Sequence, residues 1–365
     1  MTIYVFYNND PLASDQGGGA EHLRGIYRAL KRSGKPFVLV TSRMQIGLES
    51  DNVEYISNGA NILRFFMAMF VWFIKNRAKL TDDDVFHFHR NYTIWPKFLI
   101  VGRRGKTIIT YHNHTGKILE DWFGKSGSKV VRSVMLFFER KAVSIADKII
   151  FVSDRVRQTL KDEVLRGGYS KTLVIPAAFD SAAFENCTKA AKSNTNRLIS
   201  IGRLASIKNF NLAIETVEKL HELKHEYYLT IVGDGELKDE LKERVGNSPC
   251  KEYIKLYGLA RHSMIQKLVE EHSIVLVTSK FEASPTVVKE GIASFRPVVT
   301  TDVGDVGIWV SEGKNGFICE HNATSLSRAI LDASKLVAED LYIQSIDFKN
   351  FSEEKIMDKV LEQYE

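Results

Sequence analysis

The chain has 365 residues, 44% hydrophobic and 26% charged, with a net charge of +5. Single cores usually stop growing beyond roughly 250–300 residues, so two domains are expected, each of soluble globular composition. Cys187, Cys250 and Cys319 are odd in number and far apart, which fits neither a disulfide framework nor zinc-ligand spacing and marks them as packing residues in a reducing compartment.

Charge is unevenly spread, +10 over residues 1–180 and −5 over 181–365. The basic half points to an anionic surface or ligand. Nucleic acid is not expected, because no basic cluster interleaves with aromatic or groove-reading elements. The opening `MTIYVFYNND` has no basic segment leading into a long apolar run, so a cytoplasmic location is expected.

In chain order, `IYVFY` reads as a buried strand and is followed by `QGGGAEHL`, where Gly17, Gly18 and Gly19 let backbone approach a ligand closely as a helix begins. `FVLVT` is a second strand. The stretch `NILRFFMAMFVWFIKNRAKL` is apolar at every residue from Ile62 to Ile74 except Arg64, and Lys75, Arg77 and Lys79 follow. Thirteen residues are fewer than the ~20 needed to span a bilayer, which leaves two readings: a buried crossover helix, or a helix that also docks on anionic lipid. `TDDDVF`, Thr81 to Phe86, contains an Asp-x-Asp but leads into a strand instead of following one, so no metal site is assigned. `VFHFH`, `TIITYH` and `KIIFVS` complete the first set of strands.

The alternation restarts after residue 195 with `RLISIG`, `FNLAIETVEKLHEL`, `YYLTIVG`, `ELKDELKERVG`, `SIVLVTS`, `TVVKEGIASF` and `PVVTT`. Apolar strands alternating with helices form parallel, doubly wound sheets. The expected organisation is a Rossmann-like domain over 1–180, a second over 181–347 with a polar hinge near 180–196, and a C-terminal helix over 348–365 that could cross back to the first. Ligands bind at the C-terminal ends of such strands, here in a shared cleft.

Two constellations lie at such ends in the second half. In `SKFEASPTVVKEGIASFRPVVTT`, Glu282 sits just after a strand and Glu290 about one and a half turns into the next helix. The backbone N–H groups of Ser284, Thr286 and Val287 would form an anion site at that helix start. In `SIGRLASIKNF`, Arg203 and Lys208 follow a strand and suit two phosphate groups.

Glu282 and Glu290 as E-x7-E, Gly202, Arg203 and Lys208, the segment `IVGDGEL` and the turn at Gly18 and Gly19 together resemble the retaining glycosyltransferases of the GT-B fold, group four. The resemblance covers nearly the whole chain and is more specific in the second half. It implies an α/β GT-B fold of two Rossmann-like domains facing a central cleft, and a nucleotide diphosphate sugar, UDP- or GDP-linked, as donor substrate, with no cofactor. By this resemblance Arg203 and Lys208 neutralise the donor diphosphate, Glu290 bonds the ribose, Glu282 contacts the transferred sugar, and His112 in `TYHNHTG` lies near the reacting carbon. The acceptor is expected to be a glycan or a polyprenyl-linked glycan in bacterial surface polysaccharide assembly, with peripheral contact at the inner face of the plasma membrane. Departures include Glu282-Ala283 for Glu-Gly, Pro176-Ala177-Ala178 for Pro-Asn-Gly, and Gly304-Asp305 for Gly-Gly, which adds a carboxylate that could face the cleft.

Two other readings remain. A retaining glycosidase also uses a carboxylate pair but does not need a phosphate cradle. A catalytically silent partner that holds a nucleotide sugar or glycan would not need every donor-site residue.

Overall fold

The computed structural model describes all residues except 13–17, 44–50, 60, 113–128, 166, 185, 193–194 and 344–351. It divides into two compact units, Met1–Ala178 with Glu353–Glu365, and Phe179–Ser352.

The first unit is built on seven parallel strands: β1 (Ile3–Tyr7), β2 (Phe37–Arg43), β3 (Val53–Asn58), β4 (Val85–Phe88), β5 (Lys106–Tyr111), β6 (Lys148–Phe151) and β7 (Thr172–Val174). Their order is β3-β2-β1-β4-β5-β6-β7. The helices described are α1 (Gly18–Ser33), α2 (Ile62–Asn76), α3 (Ile94–Val101), α4 (Lys129–Ile145) and α5 (Asp154–Leu160). The last helix of the chain, α12 (Glu353–Leu361), also belongs here. Ile356, Met357 and Val360 pack into the same cluster as Leu23, Ile26 and Leu30 of α1. Arg28 Nε donates to Glu353 Oε1 at 2.8 Å, and Tyr364 bonds His87 of β4 at 2.7 Å. The chain end is therefore part of this unit's core.

The second unit has six parallel strands: β8 (Arg197–Ile201), β9 (Tyr228–Val232), β10 (Ile254–Gly258), β11 (Ile274–Val277), β12 (Val298–Thr301) and β13 (Gly316–Cys319). Their order is β10-β9-β8-β11-β12-β13. Crossovers include α6 (Phe210–Glu222), α7 (Lys238–Gly246), α8 (His262–Glu270), α9 (Thr286–Ala293), the short α10 (Val306–Trp309) and α11 (Ala323–Ala338). Both sheets are the expected doubly wound α/β layers. The three cysteines are buried and unpaired, in keeping with a packing role.

Each sheet reverses its winding once, between β1 and β4 and between β8 and β11. At such a switch point the loops leaving neighbouring strands diverge to opposite faces and open a crevice beyond the strands' C-terminal ends.

α2 has two apolar faces. Phe65, Met69, Trp72 and Phe73 are buried, at the i, i+4, i+7, i+8 spacing of a core face. Leu63, Met67 and Val71, four apart, point outward with Ile74. No described helix is long and apolar enough to cross a membrane.

Candidate active site

The second unit's switch point brings together residues 74 positions apart. After β8 the chain turns through Gly202 and Arg203 into a 3-10 turn, Ser206–Lys208, and Asn209 at φ 53° starts α6. After β11 it runs through Ser279 and Glu282 to Pro285, the N-cap of α9. Lys208 Nζ lies 2.5 Å from Glu282 Oε1, and Ser279 Oγ donates to the same oxygen at 2.8 Å. Thr278 Oγ1 binds the carbonyl of Asn209 at 3.0 Å, and Lys280 N that of Ile207 at 2.8 Å, so the two loops are tied by backbone as well.

A recess at these strand ends is lined by Ser200, Lys208, Thr278, Glu282 and Val287. Beside it, the amides of Thr286 and Val287 in the first turn of α9 have no acceptor within the helix. Glu290, fifth in α9, is buried. Arg203 is more exposed and pairs with Glu236 at 3.1 Å. Both belong to loops held together by a close approach. Gly202 N bonds Val232 O at 2.9 Å, and Gly233 at φ +152° sits so near that a Cβ there would lie 1.8 Å from Gly202 O. Glycine is therefore required in `VGDG` for the arginine loop to reach its position.

Asp305, expected from its sequence position as a carboxylate that could face the cleft, is instead turned into the protein. It is buried and accepts from Ser284 Oγ at 2.6 Å, and burial raises its pKa. Gly304, at φ +54°, permits this, since a Cβ would meet the Ala283 carbonyl at 2.4 Å.

In the first unit, Gly18 and Gly19 are the first two residues of α1, after β1, rather than preceding the helix; Gly17 lies outside the described residues, as does His114. His112 follows β5, and its Nε2 is 2.9 Å from Nδ1 of His89, which follows β4. His22 of α1 is edge-on to both rings, with centroids 5.9 and 5.2 Å away. This trio is the one group among the described residues with ligand-type atoms within 4.8 Å of one another. Burial holds the pKa of His89 and His112 well below the usual histidine range, reinforced by neighbouring imidazoles and Arg90. The nearby guanidinium makes the cluster a poor host for a divalent cation, and a neutral hydrogen-bonding role suits it better.

His22 and His89 were missed from the sequence, although a signal existed. In `VFHFH` two histidines alternate within a strand, which puts both on one face. Asp84 of `TDDDVF` is structural: it is buried and accepts from Thr2 N and Thr81 N, both at 2.7 Å.

Comparison with known proteins agrees with this architecture. Residues 16–182 match the model described as Glycosyltransferase Family 4, and residues 185–341 match Glycosyl transferases group 1. Together they span nearly the whole chain. The protein belongs to this glycosyltransferase family and is a transferase of GT-B fold. Similar sequences include an uncharacterized glycosyltransferase of Haemophilus influenzae, 25% identical over 66% of this chain and 66% of that one. An alpha-D-kanosaminyltransferase of Streptomyces kanamyceticus is 22% identical over 68% of this chain and 67% of its own length. Among solved structures, a sucrose-phosphate synthase from Thermosynechococcus elongatus superposes with a TM-score of 0.77 at 17% identity, covering 100% of this chain and 98% of that one. Anabaena Alr3699/HepE in complex with UDP-glucose gives 0.71 at 16% identity, covering 100% and 99%.

Proposed function

We propose that this protein is a retaining glycosyltransferase that moves a sugar from a nucleotide diphosphate sugar to a glycan or lipid-linked acceptor in bacterial surface polysaccharide assembly. The observation that carries the reading is the Lys208–Glu282 contact at the β8/β11 switch point, beside the open amides of α9. Departure of a nucleoside diphosphate leaves negative charge on phosphate and an oxocarbenium-like centre on the sugar, so fixed positive groups at the leaving group are the main electrostatic demand. Lys208, Arg203 and the helix end meet it. Glu282 then serves the sugar and Glu290 the ribose, while His112 serves near the reacting carbon. Binding of a UDP-sugar by the similar Anabaena protein supports this class of donor. Screening UDP- and GDP-sugars for diphosphate release, with and without candidate acceptors, tests it; no release from any would sink it.

The same charges account for the diphosphate without an ion, so EDTA should leave transfer unchanged. Loss of activity in EDTA, restored by Mg²⁺ or Mn²⁺, would overturn this.

The acceptor side is read from α2. Its outer face leaves Leu63 69% and Met67 56% exposed, and Leu99 of α3 and Phe137 of α4 are also exposed. Trp95 of α3 stacks edge-on to Phe138 of α4 at 5.3 Å. With exposed Lys75, Arg77 and Lys79 at the end of α2, this surface suits peripheral contact with an anionic membrane, each basic residue contributing about 1 kcal/mol near the surface. The protein should sediment with anionic liposomes, far less with neutral ones, and be released as salt rises. Changing all three basic residues to Gln should reduce sedimentation without impairing donor hydrolysis. Equal failure on both liposome types would favour a soluble acceptor.

A further inference from the structure

Lys289 is fully buried, the fourth residue of α9, on a helix whose neighbouring positions are packed with apolar side chains. Helical side chains tilt toward the N-terminus, and this one reaches back so that Nζ donates to Ser284 Oγ at 2.7 Å. Ser284 Oγ in turn donates to Asp305 Oδ2 at 2.6 Å, and Nζ sits 4.6 Å from the centre of the Trp309 ring. The Ser284 hydroxyl thus accepts from one partner and donates to the other.

Two costs are visible here. Burying an ammonium carries a large desolvation cost, and a cation at the positive end of a helix is unfavourable as well. A purely structural position would not gather both beside a row of open amides. Asp305 offsets part of the charge, but its own burial opposes ionisation. An anion at the mouth of α9 would complete the balance.

We infer that Lys289 is a positioning residue that, through Ser284 and Asp305, holds the Glu282–Thr286 loop in shape and adds positive potential from behind to the site for the donor diphosphate. This rests on the donor reading above. Lys289 does not touch the ligand; it acts through Ser284 and through its field. The charged groups facing it are Asp305, from the turn before α10, and Glu290 of its own helix. β11 and β12 supply only aliphatic and threonine side chains, and the 3-10 turn Ser181–Phe184 has no ionisable group.

Burial brings the Lys289 pKa down to about 8. Its charge is then mostly present at pH 7 and lost as pH rises through 8, and a neighbouring diphosphate loses its attraction. Fold stability should not fall in the same window. The folded-state pKa lies below the unfolded value of about 10.4, so between the two the unfolded chain binds more protons and stability rises with pH.

The test is calorimetric titration of UDP and of GDP into wild type, Lys289→Met and Asp305→Asn between pH 7 and 9, with hydrogen exchange of residues 282–287 in the nucleotide-free proteins. Lys289→Met should bind whichever nucleotide wild type binds about ten-fold more weakly at pH 7, with the gap closing by pH 9. Its 282–287 amides should exchange faster. Asp305→Asn removes the carboxylate that favours the ammonium, so its affinity should begin to fall at a lower pH than wild type's, which keeps the inference testable if Lys289→Met folds poorly. Wild-type affinity and pH profile in a folded Lys289→Met, or an Asp305→Asn profile that does not move, would overturn it. Failure of wild type to bind either nucleotide would count against the donor reading, whereas unaltered exchange in Lys289→Met counts against this inference alone.

Discussion

Lys208→Ala should lower kcat/KM for sugar transfer by about 100-fold or more while the protein stays folded. Removing a charge-assisted contact from the leaving group costs about 2–3 kcal/mol, already a 30- to 150-fold loss. The structure adds a second penalty. Lys208 neutralises Glu282 at 2.5 Å, so its deletion leaves a mostly buried carboxylate, 14% exposed, uncompensated beside an incoming diphosphate. Lys208→Ala should therefore harm transfer more than Arg203→Ala, because Arg203 is 71% exposed and its partner Glu236 is 51% exposed. The Lys208→Ala/Glu282→Gln double variant should recover part of the nucleotide affinity lost in Lys208→Ala, since the stranded charge is gone. Steady-state kinetics with the donor found by screening, and calorimetry with the bare nucleotide, decide it. Near-parental transfer by a folded Lys208→Ala would remove lysine from the leaving-group role.

How far the sequence disclosed this arrangement depended on where each residue sits in the sheets. Central strands such as `IYVFY`, `KIIFVS` and `IVLV` are buried on both faces and read as unbroken apolar runs. The strands absent from the sequence reading, β3, β7, β10 and β13, are the four sheet edges. An edge is half solvated, so `VEYISN` and `TLV` carry partly exposed positions and lose the pattern. The donor-side candidates were visible because each follows a legible strand. Their mutual contact was not: that Lys208 and Glu282 touch depends on β8 lying next to β11, a fact of strand order that periodicity does not encode. The buried polar groups were the hardest. Lys289 reads like any lysine on an exposed helix face, and only the helix's burial against β11 and β12 shows otherwise. Asp305 likewise reads as a carboxylate at the cleft, and only its burial beside Ser284 shows otherwise.

Arg296→Met should strongly destabilise the second unit. Arg296 is 2% exposed, and its guanidinium serves four carbonyls from three segments. Nε donates to His272 O at 2.7 Å and Nη2 to Glu270 O at 2.7 Å, closing the end of α8. Nη1 donates to Ser294 O at 2.6 Å, just past α9, and also to Thr188 O in the segment leading to β8. Burial lowers the guanidinium pKa, but an arginine remains charged at any ordinary pH, so the hydrogen bonds must carry the desolvation cost. Methionine fills much of the volume yet strands those carbonyls, each worth about 1 kcal/mol or more when left unsatisfied in the interior. A loss of about 3–5 kcal/mol follows, and for a unit of this size that lowers the melting transition by roughly 10 °C. Lysine can replace at most part of the fork and should recover less than half of the loss. The backbone sharpens the demand: Phe295 adopts φ 55°, a left-handed conformation that a bulky residue holds only when its surroundings enforce it, and Arg296 bonds the carbonyl on the other side of that residue. Calorimetric scans of Arg296→Met, Arg296→Lys and Phe295→Gly separate the two effects. Phe295→Gly relieves the strain but forfeits the Tyr342 ring contact at 6.2 Å, so it should cost far less than Arg296→Met. A melting shift of only a degree or two in Arg296→Met would mean that water takes over the carbonyls and that the arginine is dispensable to the fold.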